Sequence, residues 1–410
     1  MQTISLQFNV GYDFENFNRF EEFLVTSVRQ GIVQAVRRYL PLLDEELSRQ
    51  FEIEHPEYRS NGQVFRTIKF YFGIIRISRC RYSCKGQKDV YPLDSFLPMG
   101  MLSGKIAAFG IDLSTEIPYA RSSRLLEKLL GVSVSGKGLW HLVQRKGLEE
   151  RALHEAERSR VFDDARDSYP QDRQSSKSPG SPVYLELDGT MVASRETGEE
   201  RFEVKSGIMY QNIYQTGKSR HRLMDKVVYS AAENSEVFSE QFYAFCRKQG
   251  LPSFAKKIFI SDGAGWLHNS AEYVFPQAEK RLDLYHLKKA CSNVLNEEEM
   301  DILNQTVYHE SSKEIIKTIS ELLQSKDLEI KEGTDLLHYL HQNRDSMNYS
   351  RDNRNGSGGI EKNIGIHVGR RCKKQGMSWS HEGINNLLAL RSKKLNQLWS
   401  VTSNHYEHYR

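Results

Sequence analysis

The chain has 410 residues, enough for two or three domains, since single hydrophobic cores stop growing near roughly 250–300 residues. Hydrophobic residues make up 39% and charged residues 27%, which excludes a wholly disordered or fibrous chain. No run approaches the ~20 apolar residues of a membrane span, MQTISLQFNV is not a basic-then-apolar leader, and five scattered cysteines make no disulfide framework. A cytoplasmic protein away from membranes is expected.

Residues 1–60 read as an N-terminal helical region. Phe14, Phe17, Phe20, Phe23 and Leu24 recur at helical spacing, Ile32, Val33, Val36, Tyr39 and Leu40 extend the pattern, and Pro41 is expected to break or kink it. Residues 61–117 read as β-rich: VFRTIKFYFGIIRISRCRY alternates, with Gly73 as a bend between two strands. Cys80 and Cys84 lie here, but no second pair follows at zinc-ligand spacing.

Residues 118–160 predict a helix pair, YARSSRLLEKLLG and then VSVSGKGLWHLVQRKG, stopped by Gly131 and restarted by Ser133 or Ser135. The second helix would bury Leu139, Trp140 and Val143 and display Lys137, His141, Gln144, Arg145 and Lys146. Six basic residues face one acid between Pro118 and Leu148, which suits a polyanion. The pair has the form of a helix-turn-helix that enters a major groove, although any two amphipathic helices joined by glycine read the same way. RDSYPQDRQSSKSPGSP places a linker at 161–182.

The chemistry lies in residues 183–400. VYLELDGTMVASRE is a strand ending in Asp188-Gly-Thr190, and FEVKSGIMYQNIY and RLMDKVVYSAA supply two more. A helix, EVFSEQFYAFCRKQG, precedes KIFISDGAGWL, a strand ending at Asp262; KRLDLYHL is a further short strand with Asp283 near its end. A helical stretch from about His286 to Gln342 leads to GSGGIEKNIG, which puts Glu361 in the first turn of a helix. This order indicates an α/β fold with a mixed sheet, and aspartates at strand ends converge where α/β sites lie. An Asp before Gly also serves its own turn, and a Glu in a first turn also complements the helix dipole. Three carboxylates in one place repel one another unless a cation sits between them, and hard oxygen ligands suit Mg²⁺ or Mn²⁺. Two such ions support phosphodiester chemistry. From Asn343 onward 12 Lys and Arg face 5 Asp and Glu, another basic stretch.

LELDGT, ISDGAGWL, LDLYHL and GSGGIEKNIG followed by RRCKKQGMSWS, in that order, resemble the insertion-sequence DDE transposases of the ISLre type, within the Mutator-like group. The resemblance covers about residues 60–400. It implies a ribonuclease-H-like catalytic core with an all-helical insertion at about 287–345, preceded by the helical and β-hairpin regions. It places the metal-binding carboxylates at Asp188, Asp262 and Glu361, with two Mg²⁺ or Mn²⁺ ions. Asp283 and His286 match the group's Cys/Asp-x-x-His signature in a supporting role. Trp266, four residues past Asp262, would stack on an unpaired base or pack in the core. Arg370, Arg371, Lys373 and Lys374, close to Glu361, would contact DNA backbone, as would Lys137, Gln144, Arg145 and Lys146 in the N-terminal half. The expected partners are double-stranded DNA, namely terminal inverted repeats and target DNA, and further copies of the chain. A structure-specific nuclease and a non-catalytic DNA-binding descendant of a transposase are the competing readings.

Overall fold

The predicted N-terminal helix forms as α1 (Phe17–Glu54), capped by the Asn16 side chain, which accepts from the Arg19 N–H (3.2 Å). The computed structural model describes residues 14–163, 182–211, 213–217, 220–251, 254, 256–324, 330–347, 349, 359–373 and 376–398. The helix continues through Pro41, so of the expected break or kink the break does not occur. A proline removes one helical hydrogen bond and crowds the preceding turn. Here Leu40, Asp44 and Ser48 are buried around it, and Asp44 Oδ2 accepts from the Cys80 N–H (2.8 Å). The partner of α1 is an antiparallel hairpin of β1 (Arg59–Phe70) and β2 (Gly73–Ser83), bent where expected. Leu40, Ile68, Ile75, Ile77 and Leu93 form their shared core.

The region read as β-rich also contains a helix, α2 (Gly104–Glu116), started by the Ser103 hydroxyl accepting from the Ile106 N–H (3.4 Å). It packs with α3 (Tyr119–Leu130) and the start of α4 (Gly136–Phe162) around Ile106, Leu126, Leu130 and Leu139. A Cβ on Gly110 would stand 2.7 Å from Leu139, so that glycine permits the close approach. Gly131 ends α3 in the left-handed conformation (φ 65°), and the Ser135 hydroxyl accepts from the Gly138 N–H (3.1 Å), as the sequence predicts. The second helix is longer than predicted, reaching Phe162. The chain forms two compact units that divide within α4, after Val143. Most of the predicted linker (164–181) lies outside the described residues.

The second unit is built on a five-stranded mixed sheet. Its strands are β3 (Val183–Ala193), β4 (Arg201–Tyr210), β7 (Val227–Ala231), β8 (Lys257–Ser261) and β9 (Glu279–Leu282); β5 (Ile213–Gly217) and β6 (Arg220–Leu223) pair as a separate hairpin. The two segments each read as one strand are therefore four strands. The order across the sheet is β7-β4-β3-β8-β9. β4 runs antiparallel to β3 and to β7, whereas β8 runs parallel to β3 and β9 parallel to β8.

Side chains alternate across a strand, and β3 uses this to separate two environments. Val183, Leu185 and Leu187 join an apolar cluster with Phe238 and Phe242 of α5 (Ser235–Lys248) and Leu267 and Ala271 of α6 (Gly265–Val274). Tyr184, Glu186 and Asp188 alternate with them and belong to the opposite face. The predicted helical stretch is α7 (Leu284–Ser292), α8 (Glu297–Val307), α9 (Ser312–Gln324) and α10 (Ile330–Gln342), with its own core of Leu287, Leu303, Ile315, Ile319 and Leu340. Next come α11 (Gly359–Ile364), a π-helical turn (Gly365–Gly369), α12 (Arg370–Cys372) and α13 (His381–Leu395); α11 packs on β3 and α13 on β7. No described helix is long and apolar enough to cross a membrane.

His154 of α4 packs edge-on against Tyr229 and Phe245 (centroids 5.3 and 5.6 Å), and burial pulls its pKa from 6.5 down to about 4. The unfolded chain takes up this proton near pH 6.5 and the folded chain resists until about pH 4. The contribution is therefore whole above pH 6.5 and is lost as the pH falls toward 4, by about 3 kcal/mol in all. Denaturant melts at stepped pH should show His154→Phe losing less stability over this window than the unaltered chain.

Candidate functional site

β3 does not end at Asp188 as expected but runs on to Ala193. Its pairing with β8 stops at Glu186↔Ile260, while its pairing with β4 continues. Asp188 therefore stands beside the strand end where β8 gives way to Asp262. The turn roles read from the sequence are real: Asp188 Oδ1 accepts from the Gly189 N–H (2.6 Å) and Asp262 Oδ1 from the Ala264 N–H (2.8 Å). Gly263 has φ +88°, and a Cβ there would lie 2.7 Å from the Asn343 side chain, so both backbone and space demand glycine. Asp283, expected near the end of a strand, comes just after β9 and caps α7, accepting from the Tyr285 N–H (3.1 Å). One turn on, His286 Nδ1 donates to Asp283 Oδ2 (3.0 Å).

Glu361 occupies the first turn of α11, as predicted. Its side chain is about one-third exposed, yet both carboxylate oxygens are turned inward, shielded from solvent and without a hydrogen bond. His286 Nδ1 lies 3.7 Å from Oε1, too far for a good hydrogen bond. Burial raises the Glu361 pKa, and repulsion from Asp283 and Asp262 adds to it. Burial likewise lifts Asp188 to about 6, reinforced by Asp262 and Glu361. The His286 pKa is raised by its hydrogen bond to Asp283. Asp188, Asp262, Asp283 and His286 line one small cavity, and ligand atoms of Asp283, His286 and Glu361 lie within 4.8 Å of one another. The Asp-x-x-His pair thus lies beside Glu361. Solvent-shielded carboxylate oxygens among other acids, with only the distant His286 ring as a cationic neighbour among the described residues, are a donor set that suits a hard divalent cation.

A cleft of about 730 Å³ adjoins Asp188 and Glu361 and is bordered by Lys362, Arg370 and Lys373. Lys373 Nζ donates to Thr190 Oγ1 (2.7 Å) across it. The floor includes Gly365 and Gly369. A Cβ at Gly365 would meet nothing within 4 Å, and one at Gly369 only Ile364 O at 3.7 Å. The fold does not require glycine at either place, although glycine in a helix costs about 1 kcal/mol relative to alanine.

The other predicted residues divide. Arg371 is not at the surface: it is buried, its guanidinium 5.1 Å from the Trp379 ring and donating to Met377 Sδ (3.3 Å). Lys374 lies outside the described residues, as do Gly356 and Gly358. Trp266 packs on the apolar cluster, edge-on to Phe238 (6.4 Å), with Lys205 Nζ 5.5 Å from its ring, which favours the core role over base stacking. Lys137, His141 and Arg145 are exposed on α4. Gln144 is instead half-buried and engaged with α13, donating to Gly383 O (3.3 Å) and accepting from Asn386 (2.8 Å); Lys146 donates to Glu149 (2.7 Å). Leu139 and Val143 are buried as predicted, whereas Trp140 is only partly buried.

Sequence reasoning passed over Glu186, Tyr210 and Tyr339. Glu186 is buried two residues before Asp188, accepts from the Tyr210 hydroxyl and the Ile360 N–H (2.7 Å), and has its pKa raised to about 7 by burial. A lone acid between leucines in YLELD was the available signal. The Tyr339 hydroxyl of α10 donates to Asp262 O (2.7 Å), a contact for which local spacing carries no signal.

A model of the family described as "Uncharacterised protein family (UPF0236)" matches residues 14–400. The chain is also similar to a Streptococcus gallolyticus protein described as "UPF0236 protein in vanSb 3'region". The two are 21% identical over 408 residues, covering 94% of this chain and 85% of the relative. With this match over nearly its whole length, the chain belongs to the UPF0236 family.

Proposed function

We propose that this protein is a DDE-type DNA transposase of the ISLre type, which binds the ends of its element and cuts and joins DNA strands. The observation that carries the reading is that Asp188 lines a small cavity with Asp262 and the adjoining cleft with Glu361, and feels the charge of both, although the three are separated by 74 and then 99 residues. The sheet supports a ribonuclease-H-like core: an antiparallel run β3-β4-β7 is continued by two strands parallel to β3. The four α7–α10 helices between Asp262 and Glu361 support the helical insertion that the resemblance implies.

Asp188, Asp262 and Glu361 would hold Mg²⁺ or Mn²⁺, with Asp283 and His286 alongside. Ions held there would supply the activation of a water or 3′-hydroxyl and the stabilisation of the leaving oxygen. The protein's own contribution is to hold the phosphodiester. Lys362, Arg370 and Lys373 border the cleft and neutralise backbone phosphates. The bare backbone at Gly365 and Gly369 lets a sugar–phosphate strand lie against the π-helical turn. Lys137 and Arg145, exposed on α4, serve end binding, and two or more copies act on paired ends.

The test uses the full chain, Mg²⁺ or Mn²⁺, and a linear duplex carrying the inverted repeats that bound the reading frame. Asp188→Asn, Asp262→Asn and Glu361→Gln should each lower cleavage and joining by on the order of 10³-fold or more, because the ligands act as a unit, while duplex binding survives. Activity undiminished in Glu361→Gln would remove Glu361 from the site. Cleavage without joined products would point to a nuclease, and duplex binding without either reaction to a non-catalytic DNA-binding protein.

Two further changes probe the cleft. Arg370→Ala should reduce the log–log salt slope of duplex binding by about 0.9 if it meets one phosphate. Gly365→Leu should melt no lower than the unaltered chain, since glycine disfavours helix by about 1 kcal/mol, yet cleave at least about tenfold more slowly, roughly 1.4 kcal/mol of barrier. Unimpaired cleavage by Gly365→Leu would take the strand out of this cleft.

A further inference from the structure

We infer that Glu186 is a positioning residue for Glu361, tying the central strand of the sheet to the helix that carries the carboxylate. The inference rests on the proposed role of Glu361 as a metal ligand.

Glu186 is 1% exposed, in the middle of β3. A buried carboxylate is expensive unless its oxygens are hydrogen-bonded. Both are: one accepts from the Tyr210 hydroxyl of β4, the other from the Ile360 N–H (2.7 Å). The first N–H groups of a helix lack partners within it, and a negative group there also complements the helix dipole. Glu186 thus does for α11 what a capping side chain does, but from a strand 174 residues away.

The place of attachment gives the tie its consequence. Ile360 immediately precedes Glu361, so the bond fixes the backbone next to the carboxylate. Gly359 is built to the same contact: a Cβ there would lie 2.9 Å from Glu186 Oε1. Tyr210 sits opposite Tyr184 in the β3–β4 register and stacks on its ring (5.3 Å, 16°), which holds the hydroxyl toward Glu186. Glu186 and Asp188 are two residues apart on one face of β3. One strand therefore presents Asp188 directly and locates Glu361 through Glu186, setting the spacing of two carboxylates.

The experiment measures Mn²⁺ affinity of the full-length protein by electron paramagnetic resonance, together with the Mg²⁺ concentration for half-maximal cleavage of the end duplex. Glu186→Gln keeps the Ile360 bond, its oxygen accepting from that N–H, and reverses the Tyr210 bond, its amide donating to the hydroxyl oxygen; it should bind Mn²⁺ as the unaltered chain does. Glu186→Leu, and Gly359→Ala, which crowds the carboxylate, should weaken Mn²⁺ binding by at least about tenfold, in the range for removing a group that orients a ligand, and raise the Mg²⁺ requirement. If Glu186→Leu fails to fold by circular dichroism, Gly359→Ala decides. Unchanged Mn²⁺ affinity in that variant, with Glu361→Gln weakened, would overturn the positioning role alone. Glu186→Gln as weak as Glu186→Leu would overturn it in favour of a role for the charge itself. Unchanged affinity in Glu361→Gln would overturn the ligand reading and the inference with it.

Discussion

Negative charge gathered under partial burial is the constraint around which the second unit is arranged. Asp188, Asp262, Asp283 and Glu361 come from four separate places in the chain to one end of the sheet. Burial and the neighbouring acids disfavour the charged forms of Asp188 and Glu361, lifting Asp188 to about 6 and raising Glu361. His286, hydrogen-bonded to Asp283, supplies some compensation. Alternation along β3 makes the arrangement tolerable, because it directs Leu185 and Leu187 into the apolar cluster and keeps the acidic residues out of it.

The helices between β9 and α11 do more than lengthen the chain. Asp283 and His286 belong to the start of α7, the Tyr339 hydroxyl of α10 holds the carbonyl of Asp262, and the Tyr349 hydroxyl donates to Leu282 O (3.0 Å) at the end of β9. Asn343 fills the space beside Gly263 that a side chain would need. This helical segment therefore braces the turn carrying Asp262 from outside the sheet. Its own core of leucines and isoleucines supplies the rigidity for that bracing.

Around the cleft, nearness in sequence is a poor guide to role. Arg370 and Arg371 are adjacent, and successive helical residues point about 100° apart. Arg370 borders the cleft, while Arg371 is buried against Trp379. Lys373 reaches back to Thr190, just past Asp188, so the far end of β3 and the end of α12 form opposite banks.

Local features were legible in the sequence because their causes lie within a few residues. The Gly131 stop, the Ser135 cap, the β1–β2 bend, the turn after Asp262 and the first-turn position of Glu361 all follow from short-range hydrogen bonding and backbone preference. Helical periodicity also announced the long stretch before Glu361, though not its division into four helices. Pro41 does not end its helix because its local penalty is outweighed by packing around Leu40 and Asp44, which no nearby residue encodes. The tertiary structure alone decided that β8 stops short of Asp188, that Gln144 and Arg371 turn inward, and that Glu186 caps a helix 174 residues away. In each case the partner that satisfies a buried polar group comes from a distant segment. Short-range spacing can reveal that such a group needs a partner, but folding determines which one it meets.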